Sequence, residues 1–66
     1  MKKLHVYEDI DGYVLKRTNE LGQATKKIFA TEERLLVGLD TISDIEDYQL
    51  EVDKKLWFVV INHLAK

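Results

Sequence analysis

The chain has 66 residues, with 10 basic and 12 acidic side chains for a net charge of −2, and it contains neither cysteine nor proline. A chain of this length has room for one small domain, and without cysteine it can form neither a disulfide nor a thiolate metal site. Its longest apolar run, residues 56–61, is far shorter than the roughly 20 residues that cross a bilayer. We expect a single domain over residues 1–66, no membrane association, and a cytoplasmic location, because cysteine and an export signal are both missing.

The first thirty residues predict three strands connected as an antiparallel meander. Leu4 and Val6 alternate with polar neighbours, as they do in a strand with one buried face. The dipeptide Asp11-Gly12 and, later, Gly22 supply residues that tolerate the backbone of tight turns. We expect strands at 3–8, 13–18 and 24–30, joined by turns at 9–12 and 19–22.

A helix is predicted directly after the third strand. Thr31 is a favourable N-cap, and two glutamates follow it in the first turn, where the helix dipole favours negative charge. The apolar stripe consists of Leu35, Leu36 and Leu39. Gly38 weakens the last turn, so we expect the helix to end near Asp40.

The last third of the chain carries two competing patterns. Ser43 and Glu46 fit a capping box, and apolar residues then recur at intervals of three and four, which favours a helix. Residues 57–61 are aromatic or β-branched, which favours a strand, and we give a strand at 56–62 slight preference. The predicted fold class is α+β: a three-stranded antiparallel meander, one helix, and a C-terminal strand or second helix that packs on the sheet.

The sequence contains no pattern typical of an enzyme or a cofactor site. Residues 9–12 resemble the start of a calcium-binding EF-hand loop, but Thr18 stands where that loop needs a glutamate. His5 and His63 lie at opposite ends of the chain, and no glycine-rich phosphate loop is present. We predict a non-enzymatic protein with no metal and no cofactor.

Strand alternation predicts one sheet face that combines bases with aromatic rings. If the second turn has four residues, this face carries Lys3, His5, Tyr7, Val14, Lys16, Thr18, Lys27 and Phe29. Cations bind phosphates and rings stack on nucleobases, which suggests a nucleic-acid-binding module as the alternative function. Its contacts would come from Lys3, His5, Tyr7, Lys16 and Lys27. In the competing interpretation, the apolar residues of this face form a second core layer beneath the C-terminal segment.

The strand-to-helix junction KKIFATEERLLVGL and the order of three strands and a helix resemble the arm-type DNA-binding domains of tyrosine integrases and related AP2-like modules. The resemblance covers residues 4–40 and implies a DNA-binding surface on the sheet. It is a likeness of element order. This chain has fewer bases than those domains usually carry, and nothing after residue 42 belongs to the resemblance.

Residues 40–53 contain six acids and no base, and the apolar run follows directly. Acids steer a basic partner toward a surface, and exposed rings are enriched where proteins meet. We predict a small interaction or regulatory protein of the bacterial or phage accessory or inhibitor type, which binds another protein through this acidic and apolar surface. The predicted contacts are Asp44, Glu46, Asp47, Tyr48, Glu51, Trp57 and Phe58. A homodimer also fits the apolar run, and a solvated acidic face that only maintains solubility is the competing interpretation.

Overall fold

The computed structural model describes residues 1–65 and shows an α+β fold. Its strands are β1 (Lys3–Asp9), β2 (Gly12–Thr18), β3 (Ala24–Phe29) and β4 (Gln49–Val52), and its helices are α1 (Glu32–Asp40) and α2 (Trp57–Leu64). Short 3₁₀ turns at Ile45–Asp47 and Lys54–Leu56 flank β4. The strand order is β3-β2-β1-β4, with β4 parallel to β1 and the other pairs antiparallel. The predicted meander and first helix are confirmed.

The first hairpin depends on a glycine. Asp9 pairs with Gly12 across a two-residue loop, and Gly12 has φ +135°. A Cβ atom built on Gly12 would lie 2.5 Å from the carbonyl oxygen of Phe29 on the neighbouring strand. Because side-chain-bearing residues rarely adopt this φ and the contact leaves no space, only glycine fits here.

The second hairpin corrects the predicted register of β3. Asn19 closes a longer turn than expected: its Oδ1 accepts from the N–H groups of Leu21 and Gln23, and its own N–H donates to the Gln23 carbonyl. Five residues therefore separate the paired Thr18 and Ala24. A shift of one residue exchanges the faces of every side chain, so Lys27 and Phe29 lie on the opposite face from the one predicted.

α1 begins at the predicted cap and packs on the sheet. Thr31 Oγ1 accepts from the N–H of Arg34 at 3.2 Å, and the helix ends at Asp40. Its inward side chains, Leu35 and Leu39, are fully buried. Gly38 also has a packing role, because a Cβ atom there would lie 2.5 Å from the Phe29 ring.

The preference for a strand at 56–62 is wrong, since residues 57–64 form α2. Leu56 and Val60, four residues apart, are both buried against the sheet, and this burial outweighs the low helix propensity of β-branched residues. The expected capping box does not form: the turn Ile45–Asp47 has no side-chain cap. The strand in the last third of the chain is instead β4, whose Leu50 and Val52 pack against the core.

One core lies between the sheet and both helices. Its buried members are Leu4, Val6, Leu15, Leu35, Leu39, Ile42, Leu56 and Val60. Because α1 and α2 both contribute to this cluster, they cover the same face of the sheet. The opposite face has no helix packed on it within residues 1–65, so the expected second core layer beneath the C-terminal segment is not formed. Val14, buried on that face, lies outside the main cluster.

Candidate functional site

Two of the predicted contact residues, Asp44 and Tyr48, are engaged by bases of the same chain. Asp44 Oδ2 accepts a hydrogen bond from Lys2 Nζ at 2.7 Å, and Asp44 Oδ1 lies 3.7 Å from Arg17 Nη2. Arg17 Nε donates to Tyr48 Oη at 2.6 Å, and Lys2 Nζ lies 4.7 Å from the centre of the Tyr48 ring. These four residues, here called the tether cluster, fasten the chain before β4 to β1 and β2.

Hydrogen bonding in the tether cluster shifts two pKa values in opposite directions. The bond from Lys2 lowers the pKa of Asp44 below its ordinary value of 3.8, and the same bond raises the pKa of Lys2 above 10.5. Both groups therefore stay charged across the neutral range. Asp44 and Tyr48 have a structural role that the local sequence does not reveal, because their partners lie far away in the chain.

Two further acids of residues 40–53 also have contacts within the chain. His63 Nε2 lies 2.8 Å from Asp40 Oδ1 and so joins the ends of α2 and α1. Asp53 accepts from the N–H of Lys54 at 2.9 Å and caps the turn before α2. The composition predicts six equivalent acids in residues 40–53, but three of them, Asp40, Asp44 and Asp53, have contacts within the chain.

The remaining acids are exposed and lie along the edge of the sheet. Glu46 and Asp47 precede β4 and Glu51 is part of it, and none of them has an ion-pair partner within 4.0 Å among residues 1–65. Beyond the other end of β4, Trp57 and Phe58 are 46% and 77% exposed. We call these five residues, together with the outer side of β4, the β4-edge surface.

The backbone of β4 contributes to this surface. The N–H groups of Gln49 and Asp53 donate to carbonyls of Lys2 and Val6, on and beside β1. Since hydrogen-bonding directions alternate along a strand, the backbone groups of Leu50 point outward. Among residues 1–65, no strand pairs with this outer side, which is the geometry that accepts an added strand from a partner.

The sheet face opposite the helices brings together most of the predicted basic and aromatic residues. Lys3, His5, Tyr7 and Lys16 share this face by their pairing register, and the His5 and Tyr7 ring centres are 4.5 Å apart. Lys27 does not belong to it, for the register reason given above. Lys26 takes its place, opposite Lys16. We call this surface the open face.

A groove that the sequence did not predict lies on the helix side, between α1 and the β2–β3 hairpin. Its volume is about 450 Å³, within the roughly 300–1,000 Å³ typical of ligand sites. It is lined by Leu15, Arg17, Thr25, Lys26, Lys27, Phe29, Arg34, Val37, Gly38, Thr41 and Ile42. The sequence signal for this groove was the pair Lys27 and Phe29. The four-residue turn predicted between β2 and β3 assigned both side chains to the opposite face of the sheet.

No protein-family model, curated protein or solved structure matches the chain. Among residues 1–65, none of the helices has the length and apolar character needed to cross a bilayer. The same residues contain no group of three or more histidine or acidic side chains placed to share a metal ion. The surfaces of the fold are therefore the basis for inferring what the protein does.

Proposed function

We propose that the protein is a non-enzymatic binding protein whose main partner is another protein, held at the β4-edge surface. The exposure of Trp57 and Phe58 at the start of an ordered helix carries this proposal. A chain with so small a core would gain stability by burying such rings, and aromatic side chains dominate the energetics of protein contacts.

Charge indicates the chemistry of the partner. Glu46, Asp47 and Glu51 attract a basic surface, and such attraction raises the association rate more than the affinity. A symmetric dimer through β4 would bring equivalent acids close to one another, because an isologous interface repeats the same patch. A different, basic protein is therefore a better partner than a second copy, and this fits a cytoplasmic accessory or inhibitor protein of bacterial or phage type.

The test is affinity capture with two matched variants. The double change Trp57→Ser with Phe58→Ser removes the exposed rings, while Leu21→Ser removes an apolar side chain that is 85% exposed in a distant turn. Partners captured from a bacterial lysate are compared by quantitative mass spectrometry. A partner lost with the ring variant and kept with Leu21→Ser supports the proposal, and equal capture by both variants contradicts it.

The open face supports a second candidate function, nucleic-acid binding. The supporting observation is that a sheet face with Lys3, Lys16 and Lys26 beside the His5–Tyr7 ring pair has no helix packed on it within residues 1–65. Its charge is only mildly positive, since Glu51 pairs in register with His5 on the same face.

Neighbouring lysines provide the control for this candidate. Lys26→Glu changes the open face, whereas Lys27→Glu makes the same change of charge on the helix side. Binding to single-stranded DNA or RNA at about 50 mM salt should be lost with the first variant alone and fall steeply as salt rises. Absence of binding by the unmodified protein under these conditions rejects the candidate.

A further inference from the structure

The groove between α1 and the β2–β3 hairpin has an apolar floor. Leu15 and Phe29 contribute from the sheet, and Val37 contributes from the helix. The Phe29 ring lies close to the α1 backbone because Gly38 has no side chain. The groove therefore lies between α1 and the paired strands β2 and β3.

Bases surround this floor, and no acid does. Arg17, Lys27 and Arg34 line the groove. Lys26 also borders it from β3, although its side chain belongs to the open face, and the lining contains no aspartate or glutamate. Lys27 and Arg34 form no ion pair within 4.0 Å with any of residues 1–65, while Arg17 is partly engaged by the tether cluster. In a chain of net charge −2, this is a local concentration of positive charge available to a ligand.

We propose that the groove binds a small amphiphilic anion, a molecule with a carboxylate or phosphate head and an apolar body. The head lies between Lys27 and Arg34, since cations and guanidinium groups form short, strong hydrogen bonds with either anion. The body lies on Phe29 and Val37. The groove volume of about 450 Å³ suits a small molecule, and the proposal concerns a site separate from the β4-edge surface.

Three probes that share one tail test the proposal: dodecanoate, dodecyl phosphate and dodecyltrimethylammonium. Each is titrated below its micelle concentration into the ¹⁵N-labelled protein, and amide shifts are followed. We expect saturable binding of one or both anions, with the largest shifts at Phe29, Val37 and Gly38, and much weaker binding of the cation. The two anions identify which head group the site prefers.

Two variants test the assigned residues. Arg34→Glu, at an exposed position of α1, should weaken anion binding about tenfold or more, because a charge-assisted hydrogen bond is replaced by repulsion. Val37→Trp should weaken it by filling the groove. Lys3→Glu, on the open face, makes the same change of net charge and should leave the affinity unchanged.

Several results overturn the proposal. Shifts that rise without saturation indicate non-specific contact, and shifts centred on Trp57 and Phe58 place the tail at the β4-edge surface. Equal binding of the cationic probe shows that the bases do not select the ligand. Binding of an acidic peptide to the groove when neither anion binds would assign the groove to a protein partner instead.

Discussion

The two edges of the sheet are built in different ways and carry opposite charge. β3 comes from a local hairpin and exposes Lys26 and Lys27. β4 pairs with β1 from the far end of the chain, and the tether cluster beside it joins Lys2 to Asp44, 42 residues later. The β3 edge forms through the residues of a nearby turn, and the β4 edge forms through contacts between residues far apart in the sequence. The basic edge borders the groove, and the acidic edge is connected through the turn Lys54–Leu56 to the helix that carries the exposed rings.

The largest loss of stability is expected on the β4 side of the sheet, from a change in the core that α1 and α2 share. Leu56→Ala removes a side chain that is 3% exposed beneath α2, and such truncations cost about 2–5 kcal/mol. In a domain of this size, that loss unfolds a large fraction of the molecules. Urea unfolding followed by circular dichroism measures it, with the exposed Leu21→Ala as the control. If both variants are equally stable, α2 does not anchor this edge.

Substitutions at two glycines test what determines the hairpin geometry on the β3 side of the sheet. Gly12→Ala should cost about 1–3 kcal/mol, because it combines positive φ with a backbone clash. Gly22→Asn, at φ +85° with no atom within 4 Å of an added Cβ, should cost much less, since asparagine tolerates that conformation. Unfolding free energies of both variants provide the comparison. Equal losses would mean that the contact with Phe29 does not set the hairpin geometry.

The tether cluster should make the β4 side sensitive to acid. The pKa of Asp44 is lowered in the folded protein, so its contribution to stability is present above pH 3.8 and is lost as pH falls through the lower, folded value. Asp44→Asn should be less stable at neutral pH and lose less stability below pH 4. Asp11→Asn, at an exposed acid in the first hairpin turn, makes the same substitution away from the tether cluster and is the control.

The smallest change in stability, with a distinct change in association, is expected at the β3 edge. Lysines on an edge strand hinder pairing with other strands. Lys26→Thr with Lys27→Thr should alter the unfolding free energy by less than about 0.5 kcal/mol but promote self-association, measured by light scattering over time. Lys54→Thr with Lys55→Thr, at two exposed positions outside β3, makes the same change of charge away from this edge. Equal association of both double variants would refute a protective role for the lysines.

Local signals in the sequence predicted the elements that local chemistry forms. Thr31 caps α1 through a hydrogen bond three residues away, and Gly12 allows a turn between adjacent strands. The predicted register of β3 was wrong because the Asn19 turn has one residue more than expected, which places Lys27 on the helix side. The groove that Lys27 lines was not predicted for the same reason. The alternation of apolar and polar residues along two strands does not determine how many residues the turn between them contains.

Long-range contacts account for the other failures. α2 consists of poor helix formers, and its stability comes from burying Val60 in a core that includes Leu4 and Val6, more than fifty residues earlier in the chain. The contacts of Asp44 with Lys2 and of Tyr48 with Arg17 were not predicted, because these partners are distant in sequence. Other predicted contact residues are exposed, and their role in binding a partner remains a prediction: Glu46, Asp47, Glu51, Trp57 and Phe58.

The position of β1 in the sheet has a consequence for biosynthesis. Among the four strands of residues 1–65, β1 is made before the other three, yet it lies between β2 and β4. Its hairpin partner follows immediately, but the parallel pairing with Gln49–Val52 cannot begin until that segment has been synthesised. During this interval one side of β1 has no strand partner, and closing so long a loop is slower than closing a hairpin. A chain interrupted before β4 would present a bare strand edge in place of the acidic surface, and such an edge promotes aggregation.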